Sequence, residues 1–157
     1  MVYVYSVKYH FNQILDIPAK EAFDWCTDYQ PNDLLLMKLK GNRRIRKITN
    51  DTLILTETMP ERNRKVSKTK LVRLNKAQFS WTNTHITGPY RHSQFLYQLV
   101  PDGRKRSRLY FTGLMVHYSK RRLSRGQLQK IARTVRDGDS TTWHHLATAI
   151  QKETASR

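Results

Sequence analysis

Polar side chains able to do acid–base or hydrogen-bond chemistry lie on otherwise apolar faces of two predicted strands. Trp81, Asn83 and His85 alternate along one strand, and because Trp81 favours burial, Asn83 and His85 are predicted to point inward with it. Glu57 alternates in the same way with Leu55 on another strand, so it is also predicted to face the interior. A few convergent polar groups in an apolar interior are typical of a small-molecule site.

A carboxylate in the long C-terminal helical pattern offers a second kind of chemistry. Asp139 falls on the apolar stripe of this pattern, between Val135 and Thr142. Facing a cavity, its carboxyl would have its pKa raised by desolvation, which suits an acid or base. Gly138, however, costs about 1 kcal/mol relative to alanine inside a helix, so the helix could instead restart here with Asp139 as N-cap. The sequence leaves both interpretations open.

The last two predicted strands add further candidates. Tyr97 shares an apolar face of its strand, and Met115 and His117 share a face of the final strand. Both faces of that final strand are apolar, so the sequence does not decide which one points inward. The predicted cavity residues are Glu57, Trp81, Asn83, His85, Tyr97, Met115, His117, Val135, Asp139 and Thr142. Taken alone, the polar side chains Glu57, Asn83, His85, Tyr97 and Asp139 also fit a hydrogen-bonded structural role.

Several classes of site are excluded by residue type and spacing. Cys26 is the single cysteine, which rules out an intramolecular disulfide and a zinc site built from several thiolates. His144 and His145 are adjacent and therefore point about 100° apart on a helix. We accordingly predict no metal site and no cofactor. Neither a Gly-x-Ser-x-Gly motif nor a glycine-rich phosphate loop occurs.

The chain is strongly basic, with a formal net charge of +17 over 157 residues, and the charge is uneven. Residues 1–40 hold four Lys and five acids, whereas residues 103–136 hold eleven Lys or Arg and no acid. Such a surface attracts nucleic acid or anionic lipid. The predicted polyanion-binding residues are Arg43, Arg44, Arg46, Arg104, Lys105, Arg106, Arg121 and Arg122. Solubility alone, or an acidic partner in a larger assembly, would also account for the charge.

Hydrophobic periodicity predicts the elements that position these groups. Period-two alternation predicts strands at residues 3–17, 43–49, 52–59, 64–74, 78–86, 93–100 and 108–118. Helical spacing predicts two short helices, at about 18–26 and 34–39, and a long one at about 123–152. One antiparallel sheet with helices gathered on one side is an α+β arrangement.

The segment from Phe11 to Asp28, FNQILDIPAKEAFDWCTD, resembles the opening of the START-like or Bet v 1-like superfamily, also called SRPBCC and often labelled polyketide cyclase/dehydrase. In that opening a strand ends at a proline, and an acidic amphipathic helix then ends in an aspartate. The resemblance implies a helix-grip fold, in which a seven-stranded curved antiparallel sheet surrounds a long C-terminal helix and two short helices follow the first strand. It also implies a cavity for an apolar or amphipathic ligand such as a lipid, polyketide or aromatic compound.

Two functional hypotheses follow. The leading one is a START-like small-molecule binding protein, since some members bind or carry ligands and others catalyse cyclisation or dehydration. In an enzyme of this kind a carboxylate or histidine would act as base on a bound carbonyl compound. The alternative is a basic adaptor that binds nucleic acid or anionic membrane. The sequence does not decide whether the protein turns over a substrate.

A single START-like domain is predicted over residues 1–153, and residues 154–157 are expected to fray. No apolar stretch approaches the roughly 18–20 residues that a membrane span requires. The N-terminal residues alternate apolar and polar side chains and lack a signal-peptide pattern. A cytoplasmic location is therefore expected.

Overall fold

The computed structural model describes residues 1–155, with side chains up to Glu153. The strands within this range are β1 (Tyr3–Leu15), β2 (Asn42–Lys47), β3 (Thr52–Glu61), β4 (Arg64–Asn75), β5 (Ser80–Thr87), β6 (Gln94–Pro101) and β7 (Ser107–Ser119). The helices are α1 (Ala19–Thr27), α2 (Asp33–Leu36) and α3 (Arg125–Ala155), and a 3-10 turn covers Lys76–Gln78. The predicted order of elements is confirmed.

The strands form one antiparallel sheet in the order β1-β7-β6-β5-β4-β3-β2. β1 and β7 pair over their whole length, from Tyr3 opposite Ser119 to Leu15 opposite Ser107. Buried residues alternate along β3, β5, β6 and β7, so one face of the sheet is the core face. The curved sheet and the long C-terminal helix confirm the predicted α+β helix-grip fold.

Helix α3 is one continuous helix of 31 residues. It packs on the sheet through Trp143, Leu146 and Ile150, all of which are buried. Gly138 is exposed, and an added Cβ there would meet nothing within 4 Å. Packing of the apolar stripe on the sheet outweighs the cost of Gly138, which is about 1 kcal/mol relative to alanine, so the helix continues past this residue. The interpretation of Asp139 as the N-cap of a restarted helix is therefore wrong.

Some element boundaries differ from the predicted ones where the backbone leaves the regular conformation. Helix α2 ends at Leu36, three residues earlier than predicted, because Lys38 adopts a φ of +57°. Strand β5 begins at Ser80, two residues later than predicted, because Phe79 has a φ of +49° at the end of the 3-10 turn. Periodicity does not report such left-handed residues, since their side chains are ordinary.

Within the described residues, no helix is both long and apolar enough to cross a membrane. Residues 154–157 were predicted to fray. Of these four, residues 156 and 157 lie outside the described part of the chain. Helix α3 includes the other two.

Candidate functional site

A cavity of about 250 Å³ lies between the core face of the sheet, helices α1 and α2, and helix α3. Strands β3, β4, β5 and β6 reach it with inward residues at two-residue spacing. Val135 and Leu146 of α3 cover it from the other side. This volume lies just below the roughly 300–1,000 Å³ of typical small-molecule sites, so the cavity suits a compact ligand.

One part of the lining is a wall of packed aromatic rings. The Trp81 and Tyr97 rings lie parallel with centroids 4.7 Å apart, because β5 and β6 place these residues directly opposite each other. Trp143 of α3 contacts Tyr97 at 5.7 Å, and Phe111 of β7 packs edge-on against it at 5.1 Å. Such pairs contribute about 0.5–1.5 kcal/mol each beyond burial. The wall is therefore a preformed apolar surface.

A buried ion cluster forms another part of the lining. Glu57 Oε1 accepts hydrogen bonds from Arg43 Nη2 at 2.7 Å and Nε at 3.1 Å, and its Oε2 lies 2.7 Å from Lys70 Nζ. The register explains this, because Arg43 is directly opposite Glu57 and Lys70 is on the diagonal. Burial alone would raise the pKa of Glu57, but Lys70 and Arg43 outweigh it and hold the pKa at about 2.

Arg43 extends the cluster to the helical segment after β1. Its Nη1 lies 3.5 Å from Asp33 Oδ2, and its guanidinium lies over the Tyr29 ring, 5.4 Å from the centroid. Burial and the charge of Asp28 raise the pKa of Asp33 to about 6, against the effect of Arg43. The Arg43 side chain is 3% exposed, so its prediction as a surface residue for polyanions is wrong. The Arg43 side chain points inward because Arg43 on β2 lies directly opposite Glu57 on β3.

Asn83 links two buried tyrosines at the centre of the site. The Tyr29 hydroxyl donates to Asn83 Oδ1 at 3.2 Å, and Asn83 Nδ2 donates to the Tyr97 hydroxyl at 3.4 Å. Burial raises the pKa of both tyrosines, so both remain neutral. The amide is satisfied by its protein partners and holds the aromatic wall in position.

Asp139 faces the cavity and accepts a hydrogen bond from the Tyr9 hydroxyl at 2.6 Å. Gly113, opposite Tyr9 on β7, makes room for this ring, since an added Cβ would lie 2.6 Å from it. Burial raises the pKa of Asp139, and the Tyr9 hydrogen bond and the charges of Lys68 and Lys70 offset only part of the effect. This carboxyl holds a proton to higher pH than an ordinary aspartate.

His85 and Lys68 lack hydrogen-bond partners for their side chains among the described residues. His85 is 5% exposed, and its Nδ1 is buried without a partner there. Burial, then the charges of Lys70 and Lys68, lower the pKa of His85 to about 3, so the ring is neutral at neutral pH. The Lys68 ammonium lies 5.6 Å from the centroid of the Tyr90 ring, and burial lowers its pKa. In this part of the cavity, His85 Nδ1 and the Lys68 ammonium are therefore available to pair with a ligand.

These groups define what the cavity can do chemically. A neutral imidazole and a carboxyl of raised pKa in one enclosed space are components of acid–base chemistry. No group of three or more His, Cys, Asp or Glu side chains in the described part of the chain is placed to hold a metal ion.

Eight of the ten predicted cavity residues line the cavity: Glu57, Trp81, Asn83, His85, Tyr97, Val135, Asp139 and Thr142. Their contact with a ligand stays a prediction. Met115 and His117 lie elsewhere, because the register places them opposite Val7 and Tyr5 of β1, towards the C-terminal end of β7. Their prediction as cavity residues is wrong.

Sequence reasoning missed several polar cavity residues, namely Tyr9, Tyr29, Asp33, Arg43, Lys68, Lys70 and Tyr90. Tyr9 had a signal, since it shares the apolar face of a strongly alternating strand. Lys68 and Lys70 had none within their own strand, because alternation alone assigns lysines to the water-facing side. Only the strand register reveals that both lie beside Glu57.

The other predicted polyanion-binding residues are exposed but scattered. Arg44 and Arg46 lie on the edge strand β2. Residues 104–106 form the β6–β7 turn, whereas residues 121–122 follow the far end of β7. A strand of 13 residues is about 40 Å long, so the predicted set does not form one surface.

No protein-family model and no curated protein sequence matches the chain significantly. Solved structures do match. The Zhui aromatase/cyclase from Streptomyces sp. R1128 has a TM-score of 0.78 at 9% identity, covering 96% of each chain. A protein from Thermus thermophilus has a TM-score of 0.72 at 10% identity, covering 93% of this chain and 98% of that one. Ara h 8.0201 has a TM-score of 0.69 at 11% identity, covering 94% and 99%. At these identities the likeness concerns the fold alone, and the chain shares the helix-grip fold of these structures.

Proposed function

We propose that the protein binds a small amphipathic ligand with a flat ring system, such as an aromatic or polyketide compound, between the sheet and α3. One observation carries the proposal: the stacked Trp81–Tyr97 wall lines the same cavity as His85, whose Nδ1 has no partner among the described residues. A buried polar atom without a partner costs about 1–3 kcal/mol. A ligand that pairs with this nitrogen while covering the wall removes that cost.

The polar end of the ligand is proposed to carry oxygen atoms. Lys68 makes no salt bridge to a described residue, whereas Glu57 already occupies Arg43 and Lys70. An ammonium donor beside a neutral imidazole suits a carbonyl, phenol or carboxylate group. The ring system of the ligand would then lie against Trp81.

Turnover by cyclisation or dehydration is the finer part of the proposal. Asp139, with its raised pKa, is suited to hold and transfer a proton, whereas neutral His85, whose lowered pKa makes it a weak base, is suited to a hydrogen bond with the substrate. Replacing Asp139 by Asn keeps the shape of the side chain and removes its titration. If turnover occurs, Asp139→Asn abolishes product formation from a short poly-β-ketone while ligand binding persists. Equal turnover by the variant and the wild type contradicts this part alone.

Native mass spectrometry of freshly purified protein, followed by organic extraction, tests the binding proposal first. The expected result is a defined aromatic, polyketide or lipid-like compound at near one-to-one occupancy. Protein recovered without ligand would be titrated with N-phenyl-1-naphthylamine, a neutral aromatic probe. A clean apo mass together with no saturable probe binding contradicts the proposal.

A cavity-filling variant tests where the probe binds. Val135 lines the cavity on α3, so Val135→Trp is expected to fill the space and weaken probe binding at least about tenfold. Arg133→Trp is the matched control, because Arg133 is exposed on the same helix. Equal losses in both variants, with both folded by circular dichroism, would place the probe outside the cavity.

The alternative function, a basic adaptor for nucleic acid or membrane with an unused cavity, predicts the reverse pattern. Neither ligand nor probe would bind, and a polyanion would bind with strong salt dependence. The absence of ligand and probe binding, rather than polyanion binding alone, would distinguish this alternative from the proposed function.

A further inference from the structure

A distinct basic surface lies at one end of the sheet. Three segments meet there: the β3–β4 hairpin tip (61–65), the β5–β6 loop (88–92) and the β7–α3 connection (119–125). We call their eight exposed basic residues the basic end: Arg62, Arg64, Lys65, Arg91, Lys120, Arg121, Arg122 and Arg125. Within these three segments Glu61 is the one acidic residue. The tertiary structure therefore gathers charge that is scattered in the sequence.

Direct contacts join the β5–β6 loop to the end of β7 and to strand β4. Arg91 lies over the Tyr118 ring, 4.7 Å from its centroid, and His92 Nδ1 hydrogen-bonds to the Tyr118 hydroxyl. Tyr118 immediately precedes the β7–α3 connection. On the other side, a Cβ added to Gly88 would lie 3.2 Å from the Cα of Lys68, so the loop packs closely on β4. The β5–β6 loop and the end of β7 thus adjoin each other, and the hairpin tip lies at the same end of the sheet.

The basic end borders the cavity. Lys68 of β4 and Tyr90 of the β5–β6 loop line the cavity and are both partly exposed. Val135 and Asp139 of α3 line the same side of it and are also partly exposed. Lining residues near α1 and α2, such as Trp25 and Met37, are partly exposed as well.

Exposed aliphatic side chains accompany the charges. Val4, opposite Tyr118, is 58% exposed, and Ile86, at the end of β5 next to the loop, is 47% exposed. The exposed large aromatic residue of the described chain, Tyr110, lies towards the other end of β7. Single-stranded nucleic acid is bound through exposed aromatics on which bases stack, whereas the tyrosines at this end, Tyr90 and Tyr118, are only partly exposed. Basic and aliphatic side chains together match an anionic lipid surface.

We propose that the basic end binds anionic phospholipid membranes, with the cavity next to the bilayer. Lys and Arg contact the lipid phosphates, and the aliphatic residues lie at the headgroup level. This inference goes beyond the proposed ligand binding and does not depend on it, because vesicle binding is measured without a cavity ligand.

Vesicle co-sedimentation tests the proposal, comparing pure phosphatidylcholine with phosphatidylcholine containing phosphatidylglycerol. Binding is expected only to the anionic vesicles and is expected to weaken as salt rises from about 0.1 M to about 0.5 M. Arg64→Glu/Lys65→Glu and Arg121→Glu/Arg122→Glu are each expected to lower the partition coefficient at least about tenfold. The matched control is Arg104→Glu/Lys105→Glu, which makes the same charge change at a hairpin tip at the other end of β7. It is expected to stay within about twofold of the wild type.

Four outcomes would overturn the inference. One is an equal loss in the control variant, which would mean that net charge alone drives adsorption. Another is equal binding to neutral vesicles, or none to anionic vesicles at low salt. The last is tighter binding to duplex DNA or to polyglutamate than to anionic vesicles, lost in the same variants. Probe titration of Arg64→Glu/Lys65→Glu separates this result from the ligand-binding proposal, since that variant leaves the cavity lining intact.

Discussion

Two polar regions of one cavity differ in how far the protein itself satisfies them. Around Glu57, both carboxylate oxygens meet cations, from Arg43 and Lys70, at 2.7 Å. In the second region, His85 Nδ1 is buried without a hydrogen-bond partner among the described residues, and Lys68 forms no salt bridge with any of them. A satisfied buried cluster contributes to a unique fold, whereas unsatisfied polar groups cost stability unless a ligand pairs with them. We therefore propose a structural role for the first region and ligand binding for the second.

The largest expected effect comes from breaking the satisfied region. Glu57→Gln leaves the largely buried Lys70 without its ion-pair partner and Arg43 with only the longer contact to Asp33, and we expect a loss of about 3–5 kcal/mol in the free energy of unfolding. Urea denaturation followed by circular dichroism measures it. The matched control is Glu61→Gln, at the exposed end of the same strand, with an expected change below about 0.5 kcal/mol. Similar stabilities of the two variants would contradict a structural role for the cluster.

The satisfied region also has its own pH window. The pKa of Glu57 is about 2 in the folded protein, below its ordinary value of 4.5. Its contribution to stability is therefore fully present above pH 4.5 and is lost as the pH falls through 2.

A slightly smaller effect on stability is expected from His85, in a different pH range from that of Glu57. The pKa of His85 falls from its ordinary 6.5 to about 3 on folding, so between these values the unfolded chain binds a proton that the folded chain does not. Stability therefore falls as the pH drops from 6.5 towards 3. We expect His85→Leu to remove about 3 kcal/mol of the loss that the wild type shows between about pH 7 and pH 4. Parallel pH profiles from urea titrations of the two proteins would contradict the burial of a neutral imidazole.

The smallest expected effect on stability is that of replacing Lys68, in the region proposed to bind the ligand. Lys68→Met removes a cation that pairs with no described carboxylate, so the free energy of unfolding should change by less than about 1 kcal/mol. The affinity for 8-anilinonaphthalene-1-sulfonate, an anionic aromatic probe, should fall about fivefold to tenfold, while that for N-phenyl-1-naphthylamine is retained. Fluorescence titration measures both, and Lys65→Met is the exposed control. Equal losses for the charged and neutral probes would remove the assignment of Lys68 to a ligand oxygen.

The core face of the cavity could be predicted where one strand carries the information. Trp81, Asn83 and His85 alternate on β5, and the buried positions in the structure follow that alternation. Glu57 was predicted inward for the same reason and is 2% exposed. The final strand gave no such answer, since both of its faces are apolar. Its pairing with β1 then placed Met115 and His117 away from the cavity.

The sequence by itself determined the periodicity of each element, the order of those elements and the basic net charge. Only the tertiary structure decided that Asp139 lies inside one continuous helix, because packing of the apolar stripe on the sheet outweighs the cost of about 1 kcal/mol for Gly138. It also decided which basic side chains are internal and which form a surface. Arg43 is buried because the register places it opposite Glu57, whereas Arg64 and Arg121 lie at the same end of the sheet because of the strand order. Register and packing are relations between distant residues, and no single stretch of sequence contains them.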